Sequence, residues 1–175
     1  MNLLFGLFRF LTWGNLISVS LLAVFVLISA LFSPSIPALM MILMYATTFM
    51  HNYYCLRLQR TLRQPGAPLA EGFPKQIIIL SVLAFIYAMY FVTMLIQLNR
   101  LEPSELDKLF PLGEIPKDTG YTRQDVLNAM MRIINFLFGI HAAAIAVNCV
   151  LSSFFLNKWK KDREQAENNE HFFDV

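Results

Sequence analysis

Two imidazoles and two thiols stand in stretches that carry no charge at all: His51 with Cys55, and His141 with Cys149. At 100° per residue His51 and Cys55 share one side of a helix, with Met40 and Met44 on the same side and Thr47 and Thr48 flanking them. A histidine with thioethers is one way to build a ligand or cofactor site, and Met40, Met41, Met44 and Met50 offer a thioether set of the kind copper accepts. Methionine is more commonly a filler of irregular gaps, so no metal is expected. A bis-imidazole haem needs both rings at one depth. His51 lies about six residues from one boundary of its stretch and His141 about eight from the opposite boundary, an offset of roughly 10 Å at 1.5 Å per residue. No cofactor is expected.

The elements that hold these side chains are written in the charge pattern. No Asp, Glu, Lys or Arg occurs between Arg9 and Arg57, from Gln76 to Asn99, or from Ile133 to Asn157. Crossing about 30 Å of hydrocarbon takes about 20 apolar residues in a helix that bonds its own backbone. The first stretch is long enough to cross twice and the others cross once each. Ser33-Pro34-Ser35-Ile36-Pro37 breaks the long stretch, because two prolines three apart do not fit one unbroken helix. The expected fold is therefore all-α, a four-transmembrane-helix bundle of two antiparallel hairpins. Its spans run at about 10–32, 36–56, 76–98 and 133–156. Residues 1–163 form one membrane domain and 164–175 an acidic tail. The apolar run from Phe10 to Phe32 exceeds the 7 to 15 residues of a signal h-region, so it is expected to be retained.

Basic residues in short loops mark the cytoplasmic side. Arg57, Arg60, Arg63 and Lys75 follow the second span against a lone Glu71, and Lys158, Lys160, Lys161 and Arg163 follow the fourth. Residues 99–132 hold five basic and six acidic side chains and belong outside. Both termini are then cytoplasmic, and compact loops suit a bacterial inner membrane. In the outer segment, Ser104 with Asp107 and Thr122 with Asp125 fit the cap-x-x-acid pattern that opens helices. These place a short helix near Ser104 to Phe110 and the start of a long one that runs through the fourth span to about Gln165. Gly113, Pro116 and Gly120 mark turns between them.

Polar residues inside spans need partners or a wet cavity. In an antiparallel hairpin, position numbers at equal depth share a constant total. Asn15 and His51 match the 66 set by Arg9 and Arg57, while Tyr90 and His141 match the 231 set by Leu98 and Ile133. His141, Asn148 and Ser152 lie on one stripe of the fourth span. A polar cluster of Asn15, His51 and Asn148 is expected, with Tyr90 and His141 as a second pair, both serving as interhelical hydrogen bonds. Gly139 with Ala143, and Ala142 with Ala146, set small residues four apart for close helix approach, within this chain or to another copy or membrane protein. Arg57, Arg60 and Arg63 form a basic inner face toward anionic membrane lipid.

Catalysis has little to use. No span holds a carboxylate, and Ser18, Ser20 and Ser81 lack the strained turn and base that activate a nucleophile. A net charge of +2 offers no strongly basic surface for nucleic acid. Cys55 and Cys149, the only cysteines, form no disulfide framework. The expected role is a non-enzymatic accessory or scaffold subunit. The alternatives are a carrier or channel for a small solute, with the polar cluster on its path, or a binder of a redox or lipid-soluble cofactor through His51.

Overall fold

Proline and serine set the first boundary. Pro34 and Pro37 deny the backbone two amide donors, and Ser35 turns the chain in an extended conformation (φ −145°, ψ 153°) while its hydroxyl accepts a hydrogen bond from the Ala38 N–H at 3.3 Å. Helix α1 (Asn2–Phe32) therefore ends there and α2 (Ile36–Arg63) begins. In the computed structural model, which describes residues 2–64, 69–113 and 120–173, three more helices follow: α3 (Phe73–Leu98), α4 (Pro103–Leu109) and α5 (Arg123–Phe173). The described residues contain no strand. Three helical segments, Leu3–Phe32, Phe73–Leu98 and Arg123–Ala166, are long and apolar enough to cross a membrane.

Contacts divide the chain into two compact units. The larger comprises Met1–Tyr87 and Ala144–Val175. Its helices bury seams spaced alternately three and four residues apart: Phe8, Thr12, Asn15 and Val19 on α1, and Tyr45, Thr48, Asn52, Cys55 and Gln59 on α2. A mean spacing of 3.5 keeps one seam facing a neighbour, as in coiled coils and helix bundles. Below the polar part of these seams sits an apolar cluster of Phe8, Leu58, Phe73, Ile77, Leu151 and Phe155. Phe8 stacks on Phe155 at 5.1 Å and Tyr54 on Phe73 at 5.1 Å.

The smaller unit, Ala88–Ala143, holds the end of α3, α4 and the start of α5. Phe91 stacks on Phe138 with ring centroids 5.4 Å apart, and Asn99 and Asn135 exchange two amide hydrogen bonds of 2.8 Å. Helix α4 starts at Pro103 rather than Ser104. Proline suits the first helical position because its missing N–H has no intrahelical partner to lose. Its capping pair is Glu102 with Glu105, whose Oε2 accepts from the Glu102 N–H at 3.2 Å. Asp107, expected to cap with Ser104, instead pairs with Arg123. Thr122 and Asp125 do cap α5: the carboxylate accepts from the Thr122 N–H at 2.9 Å and from its hydroxyl, and the Asp125 N–H returns a bond to Thr122 Oγ1 at 3.2 Å. Gly120, at φ +68°, makes the left-handed turn just before this cap. Pro116 and the last two residues of the tail lie outside the described residues. Helix α5 runs past Gln165 to Phe173, with a Lys158–Asp162 ion pair at 2.8 Å on its surface.

Two outcomes follow. The Thr122 hydroxyl and amide hold the Asp125 carboxyl below the usual carboxylate range. A depressed acid stabilises the fold above its unfolded value and loses that contribution as pH falls through the folded one. Hydrogen-exchange protection in the first turn of α5 should accordingly drop on acidification through and below the carboxylate range, and Asp125→Ala should remove it already at neutral pH. At Gly139 an added Cβ meets nothing within 4 Å. Gly139→Ala should leave the thermal midpoint in detergent unchanged or raise stability by about 0.5–1 kcal/mol through helix propensity; a clear loss would mean that another helix packs on that glycine.

Candidate functional site

The polar side chains of α1, α2 and the second half of α5 meet in the larger unit. Asn148, fully buried, is the hub. Its Nδ2 donates to Asn52 Oδ1 at 2.9 Å, and its Oδ1 lies 3.1 Å from the Thr12 hydroxyl. Thr12 Oγ1 accepts from Gln59 Nε2 at 2.8 Å and has one proton to give, shared between the Phe8 carbonyl at 2.7 Å and Asn148. Asn15 reaches α5 as well, donating to the Ala144 carbonyl at 3.2 Å. Three helices are thus tied by side chains that a lipid-facing position could not satisfy.

His51 occupies the neighbouring turn. Its Nε2 is 3.2 Å from Ser152 Oγ and 3.5 Å from Cys55 Sγ. The Ser152 hydroxyl donates to the Cys149 carbonyl at 2.8 Å, so its oxygen is left to accept. This assigns the Nε2–H tautomer to a neutral imidazole, which leaves Nδ1 as a bare acceptor. His51 Nδ1 is the one buried side-chain nitrogen or oxygen among the described residues with no hydrogen-bond partner.

Asn15, His51 and Asn148 lie in one buried region, but they do not bond to one another. Asn15 and His51 both turn to α5 instead of to each other, and they meet it eight residues apart, at Ala144 and Ser152. Counting residues along a hairpin does not fix partner choice, which follows from the angle at which a third helix enters the groove. Tyr90 and His141 also part. The ring that His141 meets edge-on, at 5.8 Å, is that of Phe91, and Tyr90 is exposed with its own ring against Phe91. Met40 and Met50 are exposed, whereas His51 is fully buried. Among the described residues, no group of three or more His, Cys, Asp or Glu side chains gathers as a metal site. Cys55 and Cys149 are buried free thiols. Of the small residues, Ala142 is buried and Ala146 half-buried, while Ala143 is exposed. The basic face also divides: the Arg57 guanidinium lies over the Phe73 ring at 5.9 Å and that of Arg63 over Phe5 at 5.6 Å.

Thr12, Asn52 and Gln59 were not legible as members of this cluster. Gln59 lies beyond the expected end of the second span at residue 56. The 3.5-residue spacing that joins Thr12 to Asn15, and Asn52 to Gln59, is the signal that identifies them.

Removing the hub tests what the network holds. Interhelical hydrogen bonds average about 0.6 kcal/mol and reach about 1.7. Asn148→Leu should lower stability in mild detergent by about 1–3 kcal/mol, read as a lower thermal midpoint with helical content retained. Asn135→Leu, in the smaller unit and away from the hub, should cost less. Compared with protein-family models, with curated proteins and with solved structures, the chain has no match.

Proposed function

We propose that this chain is an integral membrane protein that crosses the bilayer four times with both ends in the cytoplasm, and that it acts without catalysis, as an accessory or scaffold subunit. The observation that carries the role is how the buried polar groups are used. Thr12, Asn15, Asn52, Gln59, Asn148 and Ser152 all engage groups of this chain, and His51 keeps a single acceptor to spare. Side chains committed to holding helices together are not available to a substrate. What remains for partners is surface: Phe10, Ile17, Phe25, Leu31 and Phe32 on α1 are all more than half exposed.

The fourth crossing is α2. Its 28 residues suffice in length. Its modest hydropathy comes from Thr48, His51, Asn52 and Gln59, which are buried, while Ile36, Leu39, Met40, Leu43 and Phe49 stand on its exposed side. A helix with its polar residues inside and its apolar ones outside matches lipid as solvent. The basic residues Arg57, Arg60 and Arg63 in the last turns of α2, and those at the end of the α5 apolar stretch, favour the cytoplasm for both ends. The compact first hairpin suits a bacterial inner membrane.

Topology and role can be tested separately. Tags at Met1 and Val175 should be protected from protease together in right-side-out vesicles, and a tag inserted beside Pro34 should be cleaved. Opposite fates for the two terminal tags would remove the four-span fold. For the role, the double variant Asn15→Leu with His51→Ala should lower the thermal midpoint and leave partner co-purification in place. Were it to abolish a solute flux in proteoliposomes while the protein stayed folded and abundant, a carrier would replace the scaffold.

A further inference from the structure

Two crevices meet at the end of the first hairpin that carries Arg9. One, of about 350 Å³, lies between α1 and α2 and is lined by Arg9, Trp13, Gln59, Arg60 and Arg63, among others. The other, of about 450 Å³, runs along α1 over Gly6, Phe10, Gly14 and Ile17, and shares Arg9 and Trp13 with the first. The two are chemically opposite. Three guanidinium groups converge on the first and no carboxylate lines it. No hydrogen bond or ion pair links the side chains of Arg9, Arg60 or Arg63 to any described residue; the Arg63 contact is with the Phe5 ring alone. The second crevice is apolar apart from Arg9, and its depth comes from glycine: a Cβ at Gly6 or Gly14 would meet nothing within 4 Å. From Arg9 to Ile17 the trough extends about 12 Å along the helix axis.

Unneutralised arginines beside a glycine-floored apolar trough complement a molecule with an anionic head and a hydrocarbon tail. The geometry points to a bound anionic phospholipid, with its phosphate held by Arg9, Arg60 and Arg63 and one acyl chain lying along Gly14 and Ile17, on the cytoplasmic leaflet. Guanidinium groups suit the head because they meet phosphate oxygens with paired N–H donors. Trp13 sits where the two crevices join, the level at which an amphipathic ring is stable in a bilayer. The site rests on the topology proposed above, which places Arg9, Arg60 and Arg63 at the cytoplasmic surface, where anionic lipid is present.

The test is a lipid titration of the full chain in mild detergent, with bound lipid counted by native mass spectrometry, using phosphatidylglycerol against phosphatidylcholine. The wild type should prefer phosphatidylglycerol. Arg9→Gln, Arg60→Gln and Arg63→Gln together should weaken it about a hundredfold, about fivefold for each charge. A second triple variant, Lys158→Gln, Lys160→Gln and Lys161→Gln, removes equal charge outside the crevices and should change affinity less than about threefold. Gly14→Leu keeps every arginine but fills the trough, and should weaken lipid retention while the fold persists. Equal losses in the two triple variants would mean diffuse attraction and overturn the site, as would an unaffected Gly14→Leu or no preference for phosphatidylglycerol. Displacement of the lipid by inorganic phosphate would assign the arginines to a free anion and overturn the lipid. A chain that stayed soluble without detergent would sink the membrane topology itself; loss of lipid preference in a protein that still needs detergent would sink only this site.

Discussion

An amide or hydroxyl surrounded by hydrocarbon must find its hydrogen bond within the protein, and the Thr12–Asn148–Asn52 relay is where this chain meets that demand most densely. The backbone satisfies the demand by being helical almost throughout, and polar side chains satisfy it by meeting at the seams between helices. The larger unit is accordingly inverted relative to a soluble protein. Asn148 and His51 have no exposed surface, whereas Leu31 and Phe32 are 83% and 87% exposed.

Such a network contributes specificity more than free energy. Each bond between membrane helices is worth a fraction of a kcal/mol to about 2, so neither Asn15 nor Gln59 holds the fold alone. Their value lies in exclusion. If α1 slid by one turn against α5, the Asn15 amide would lose the Ala144 carbonyl and Asn148 Oδ1 would lose the Thr12 hydroxyl, two unsatisfied groups at once. Apolar packing of Phe8 on Phe155 has no such sharp preference for one register. The polar seam thus selects the alignment that the aromatic cluster then fills.

The smaller unit applies the same rule where the environment is more polar. Asn99 and Asn135 form a closed pair of amide bonds, and the Asp107–Arg123 ion pair joins α4 to the first turn of α5. Exposed ion pairs of this kind contribute little free energy. Rigid local bonding comes instead from the Thr122–Asp125 cap, which saturates amides that the first turn of any helix leaves open. Charged residues are excluded from the stretches 10–56, 76–99 and 133–157 and lie in the segments that flank them.

Composition and periodicity by themselves determined the class: an all-helical chain with stretches suited to lipid, a break at Ser33 to Pro37, and a cap at Thr122. These follow from one-dimensional quantities, namely apolar length, proline spacing and 1.5 Å of rise per residue. Only the tertiary structure decided which groups touch, why Asn15 and His51 both face α5, why Phe91 and not Tyr90 meets His141, and why Asp107 leaves Ser104 for Arg123. Depth is a property of one helix, but partner choice depends on the rotation of each helix about its axis and on which third helix fills the groove. That rotation is set by packing among all the helices together, and no local pattern in the chain encodes it.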